Sequence, residues 1–195
     1  MKPVRIEHVR SLAESPTMTN RLILACFVVL CGTFSRAQYL AEVKRPNGVE
    51  ELYQAGERAY RAGDHATAII FFDRVLEQED DHVNAMLQRG FCQSLLKNYE
   101  GAVKDFSAVI HLKQDHTWAY ISRGSAYKKL GKNELAIADF NSVIAMDPKN
   151  EEAYNDRGWA RKATGDQVGA CKDWSTSKRL GNAEAKIILT NNRCK

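Results

Sequence analysis

Small and apolar side chains recur along this chain at a fixed spacing of 34 residues. Aligned on glycine, "QRGFCQSLLKNYEGAVKDFSAVI" from Gln88, "SRGSAYKKLGKNELAIADFNSVI" from Ser122 and "DRGWARKATGDQVGACKDWSTSK" from Asp156 superimpose, and "QAGERAYRAGDHATAIIFFDRVL" from Gln54 fits one register earlier. Four units follow, 49–82, 83–116, 117–150 and 151–184. Unit position 8 is Gly56, Gly90, Gly124 and Gly158; position 20 is Ala68, Ala102, Ala136 and Ala170; position 24 is Phe72, Phe106, Phe140 and Trp174. A period of this length signals a repeat architecture, in which a single unit leaves an apolar face bare and only the stack buries it.

The constellation resembles the tetratricopeptide repeat, whose signature is small residues at positions 8 and 20, an aromatic at 24 and often a proline at 32. Proline appears there once, as Pro148. The resemblance covers residues 49–184 and implies an all-α protein: a right-handed superhelical stack of four units, each of two antiparallel helices. Gly at position 8 and Ala at position 20 then stand where the two helices approach, and the aromatic at 24 fills the space between units. Position 15, glycine in three units and Lys97 in one, falls at the turn, where glycine readily ends a helix. The segment from Ala183, with "AKIIL" apolar and "TNNR" polar, supplies a capping helix over 185–195.

In the family, a concave groove takes its lining from positions 2, 5, 6, 9, 12 and 13. The resemblance therefore nominates Tyr53, Glu57, Tyr60, Leu87, Phe91, Trp118, Ile121, Ser125, Lys128, Asn155 and Trp159 as partner-binding residues. Five of these are aromatic, more than packing between units requires once position 24 is filled, and clustered aromatics mark binding surfaces. Family members that grip a chaperone's C-terminal carboxylate place Lys, Arg and Asn at positions where this chain has Tyr53, Glu57, Gln88, Trp118 and Ser122. That clamp is missing.

A second regularity is polar. Position 7 is Arg89, Arg123 and Arg157, and position 23 is Asp105, Asp139 and Asp173, whereas the first unit has Ala55 and Phe71 at these places. Arginine and aspartate occur together or not at all within a unit, so three structural ion pairs are expected inside units, with no catalytic role.

Upstream, Arg21 precedes a thirteen-residue apolar run, Leu22 to Phe34, followed by Ser35 and Ala37 at the −3 and −1 places of a cleavage site. A spanning helix needs about 20 apolar residues, so residues 1–37 are expected to be a secretory signal, with Met18 a conventional start for one. Residues 38–48 form a linker. An uncleaved, inner-membrane anchor is the alternative. The whole chain has 28 basic and 24 acidic residues, and cleavage after Ala37 leaves 23 against 22. This near-neutral balance argues against a nucleic-acid partner. The expected location is exported, periplasmic or secreted, without stable membrane insertion.

Cys26 and Cys31 leave with the signal. Cys92 stands where the next two units have Ala126 and Ala160, and is expected to be buried. Cys171 lies early in the fourth unit's second helix and Cys194 late in the first helix of an incomplete fifth unit, at about the same height because consecutive helices run antiparallel. An oxidising compartment would bridge such a pair. A redox couple, which usually needs CxxC or a low-pKa thiol, and a zinc site, which needs four ligands, are the weaker alternatives. His65, His82, His111 and His116 are scattered over different units and turns. The tail "ACKDW…LGNAEAK…C" also resembles the ends of small exported tetratricopeptide proteins of Gram-negative bacteria, which favours the bridge. Neither a nucleophile–base spacing nor a phosphate loop appears. The expectation is therefore a non-catalytic scaffold of the cell envelope that binds a protein or peptide partner, with no cofactor, metal or small-molecule substrate. An enzyme or a metal or redox carrier hidden in the repeats is the contrasting class.

Overall fold

The computed structural model describes residues 47–194. The expected signal segment, with Met18, and most of the expected 38–48 linker lie outside the described residues. Among those described, all regular structure is helical: α1 Val49–Arg61, α2 His65–Gln78, α3 Val83–Leu95, α4 Tyr99–Leu112, α5 Thr117–Lys129, α6 Asn133–Met146, α7 Glu151–Ala163, α8 Gln167–Leu180 and α9 Ala185–Asn191. In all four units the first helix occupies positions 1–13 and the second 17–30. Each helix packs on the next, and α1 also meets α3, α3 meets α5, and α5 meets α7. The first helices therefore share one face of the stack.

The repeated small residues are explained by contact distance. A Cβ added at Gly56 would stand 2.6 Å from Phe72, at Gly90 2.7 Å from Phe106, at Gly124 2.9 Å from Phe140 and at Gly158 2.5 Å from Trp174. All four aromatics are fully buried, as are the alanines at position 20. The turn at position 15 is left-handed throughout, with φ of 79° at Gly63, 72° at Gly131, 87° at Gly165 and 64° at Lys97. Lys97 thus holds a conformation that costs an L-residue roughly 1–2 kcal/mol.

Helix starts are capped by side chains. Asp64, Asn98, Asn150 and Asp166 accept from the backbone N–H three residues on. His82 and His116 do the same through Nδ1, 3.1 Å from the Ala85 amide and 3.2 Å from that of Ala119. These two histidines, scattered in the sequence, share position 34 with Asn150 and share its task.

The capping helix is shorter than expected. It ends at Asn191, and Arg193 takes a φ of 52°. Cys194 therefore lies beyond the helix, in a turn where its amide donates to the Leu189 carbonyl at 3.0 Å. Asparagine is a weak helix former and a frequent helix terminator. Here Asn192 turns its own amide back onto the Ile188 carbonyl at 2.8 Å.

Candidate functional site: the face of the first helices

Each unit after the first is clasped by its arginine. Arg89 donates through Nε and Nη2 to the two carboxylate oxygens of Asp105, at 2.8 and 2.6 Å. Arg123 does so to Asp139 at 2.9 and 2.7 Å, and Arg157 to Asp173 at 2.9 and 2.7 Å. The aspartates are buried. The remaining guanidinium nitrogen, Nη1, reaches back to position 25 of the preceding unit: Asp73 at 2.6 Å, Ser107 at 3.0 Å and Asn141 at 2.6 Å. The purely intra-unit pairing expected from the sequence is therefore incomplete, because the fork of each arginine has a third tine and the neighbouring helix lies within its reach. Hydrogen bonding to Asp105, foremost, raises the pKa of Arg89, and that to Asp139 raises that of Arg123. Gln93 and Arg161 add further donors to Asp105 and Asp173, at 3.2 and 2.9 Å.

The nominated groove residues divide into two groups. Four of the five aromatics pack against another ring. Tyr53 lies 5.8 Å from Phe72 and 5.1 Å from His82, Tyr60 lies 5.5 Å from His65, Phe91 5.4 Å from Phe106, and Trp159 5.0 Å edge-on from Trp174. The expectation that these rings are surplus to packing is corrected for those four: the small residue at position 8 lets the position 24 ring rise far enough to meet Tyr53, Phe91 and Trp159, while Tyr60 packs on His65 of its own unit. Trp118 is different. It is 61 % exposed, with no ring against it among the described residues.

A second group is committed within the stack. Glu57 pairs with Arg61 at 3.0 Å. Ser125 and Lys128 both donate to Asp156, at 3.4 and 2.6 Å. Leu87 is half-buried against the cluster of Met86, Val109 and Ile110. Asn155 accepts the Trp174 indole N–H on its carbonyl at 3.2 Å, and its side-chain oxygen is buried without a donor. Ile121, expected to face a partner, is 6 % exposed and belongs to the core with Val143 and Ala153. Position 5 points between the helices here, so Ile121 forms only the floor of what lies above it.

What lies above is a cleft of about 380 Å³ between α3 and α5. Its walls are Phe91, Leu95, Tyr99 and Trp118, with Ser94, Ser122 and Ser125 supplying hydroxyls and Lys129 and Glu152 the charges. Leu95 is 55 % exposed and the adjacent Leu96 50 %. Burial, then the nearby carboxylates of Asp156 and Glu151, push the Glu152 pKa upward. Of these lining residues, Tyr99 corresponds to no groove position of the repeat. Leu95 and Lys129 occupy position 13, a groove position of the repeat, whereas Tyr99 opens a second helix.

Cys171 and Cys194 are joined by a disulfide, their Cα atoms 5.5 Å apart. Cys92 is free and buried, and burial pushes its thiol up to about 11. Among the described residues no three His, Cys, Asp or Glu side chains form a group that could hold a metal ion.

Comparison with known proteins places this geometry. One family model, described as TPR repeat, matches residues 124–165, and another, described as Tetratricopeptide repeat, matches 84–112. No curated protein matches the chain. Among solved structures, MamA residues 41 to the end from Desulfovibrio magneticus RS-1 is similar at 24% identity and a TM-score of 0.69, covering 83% of this chain and 93% of that one. The first TPR of Spaghetti (RPAP3), bound to HSP90 peptide SRMEEVD, is similar at 24% identity and a TM-score of 0.58, covering 62% and 96%. The TPR domain of Arabidopsis OM64 is 26% identical at a TM-score of 0.55, covering 57% and 93%. With the 34-residue frame, the paired helices and the matched family models in agreement, the chain carries tetratricopeptide repeats.

Proposed function

We propose that this protein is a non-catalytic scaffold of the cell envelope that holds a protein or peptide segment against its concave face. The observation that carries this reading is the cleft between α3 and α5, where Trp118 and Leu95 remain 61 and 55 % exposed beside Phe91 and Tyr99. A few such side chains, buried by a partner, typically dominate an interface energetically. The peptide held by the RPAP3 repeat domain supports the same use of the fold. The envelope location is supported by the apolar run ahead of Ser35 and Ala37, and by the Cys171–Cys194 bridge, since such bonds persist in oxidising compartments. No helix among the described residues is long and apolar enough to cross a membrane. Anchoring by an uncleaved N-terminal segment is the second reading, and the apolar run favours it equally up to the point of cleavage.

The test is crosslinking in the envelope fraction, comparing wild type with Trp118→Ala combined with Leu95→Ser. Phe91 is left intact because its ring supports Phe106. The variant should lose its crosslinked partners while its circular dichroism stays unchanged. Equal capture by both proteins would show that the concave face is not the binding surface, and absence of the protein from the envelope would overturn the location.

A further inference from the structure

The charges on the cleft are unevenly distributed. Glu151, Glu152 and Asp156 crowd the first turns of α7, and the one ammonium acting on Glu152, that of Lys128, is already committed to Asp156 at 2.6 Å. Glu152 therefore lines the cleft with a carboxylate that no cation among the described residues neutralises by direct contact. Lys129 is likewise unpaired, but it closes α5 whereas Trp118 opens it. Eleven residues of helix, roughly 16 Å, separate the cleft's free cation from its most exposed ring.

Resting on the groove reading above, we propose that the segment this cleft accepts couples a bulky apolar side chain to a neighbouring lysine or arginine. The apolar group enters between Phe91 and Trp118, and the cation meets Glu152, which shares unit position 2 with Trp118. Two features of the wall select this chemistry. A carboxylate brought beside Glu152 would add a like charge to three already crowded together, which is costly where water is partly excluded. A guanidinium or ammonium relieves that crowding and also finds the open face of Trp118, to which cations are attracted. Most of the affinity comes from the apolar group, so salt weakens binding only by the share of one ion pair.

The experiment is selection of a random dodecapeptide display library on the full chain with its disulfide intact, followed by fluorescence titration of a synthetic peptide from the enriched set. Enriched sequences should carry Lys or Arg within a helical turn of Trp, Phe or Leu. Glu152→Gln should weaken the peptide about tenfold, and Lys129→Ala should leave it within about twofold. Enrichment of acidic sequences that depend on Lys129, or indifference to Glu152→Gln, overturns the inference. Its failure is separable from that of the groove reading through Trp118→Ala: loss of binding there with none at Glu152→Gln defeats only the partner chemistry. A peptide insensitive to Trp118→Ala, or no enrichment at all, defeats both.

Discussion

The first unit and the three that follow share a frame but are held differently. In residues 49–82, Ala55 and Phe71 occupy the places of arginine and aspartate, and the unit coheres through apolar contact: Leu52, Ala68, Phe72 and Val75 are fully buried, with Tyr53 and Tyr60 packed around them. In the later units a buried carboxylate takes two bonds from its own arginine, which spends its third on the unit behind. No described unit stands behind the first, so an arginine there would find no position 25 acceptor among the described residues. The ion pairs are thus better understood as joints between units than as ballast within them, and Asp73, on the first unit, is one half of such a joint.

The largest way to test this contrast is Arg123→Ala. It strands Asp139, which is buried, and removes the link to Ser107, so a loss of about 3–5 kcal/mol is expected in denaturant melts. Combining it with Asp139→Ala should cost less than the two single changes added together. Strict additivity would mean that the pair does not act as one. A smaller effect should be common to both regions. Gly56→Ala and Gly90→Ala each drive a methyl to within 2.6 or 2.7 Å of a buried ring, and overpacking of this kind typically costs about 1–3 kcal/mol. Equal losses would show that the first unit is packed as tightly as the others; a milder loss at Gly56 would show that, without its arginine, it gives way more easily. The smallest effect is a gain. Lys97→Gly relieves the left-handed turn that only the second unit builds without glycine, and stability should rise by about 0.5–1 kcal/mol. No change in melting would mean that the lysine side chain offsets the strain.

How much of this was legible in the sequence follows from what repeats. Gly at 8, Ala at 20 and the ring at 24 recur as residue types, because one contact of fixed distance leaves few choices; their roles could be deduced before any coordinates. Arg at 7 and Asp at 23 were legible for the same reason. The partner at position 25 was not. Asp73, Ser107 and Asn141 are three different residues, alike only in offering an oxygen to an N–H. The histidine caps were hidden likewise: helix starts favour Ser, Thr, Asp and Asn, and His82 and His116 qualify only through the lone pair on Nδ1. For the candidate site, spacing places residues on a face without saying how deep they lie. Ile121 and Trp118 sit three residues apart on α5, yet one is 6 % exposed and the other 61 %. That difference depends on the tilt of neighbouring helices, which no single unit's sequence contains.

The backward reach of each arginine gives the stack a direction, with a consequence for how such a chain could lengthen. A unit copied whole from residues 117–150 and inserted after Asn150 would carry its own Arg123 and Asp139 equivalents. Its arginine would find the Asn141 amide oxygen beneath it, and its own asparagine would be offered to Arg157 above. Each end of the insert therefore matches a joint that already exists. Duplication of 34 residues preserves the hydrogen-bonding grammar at both seams, whereas insertion of a fragment would leave an arginine with a missing acceptor. The clasp is a connector of uniform gender, and the protein can gain length without inventing new chemistry.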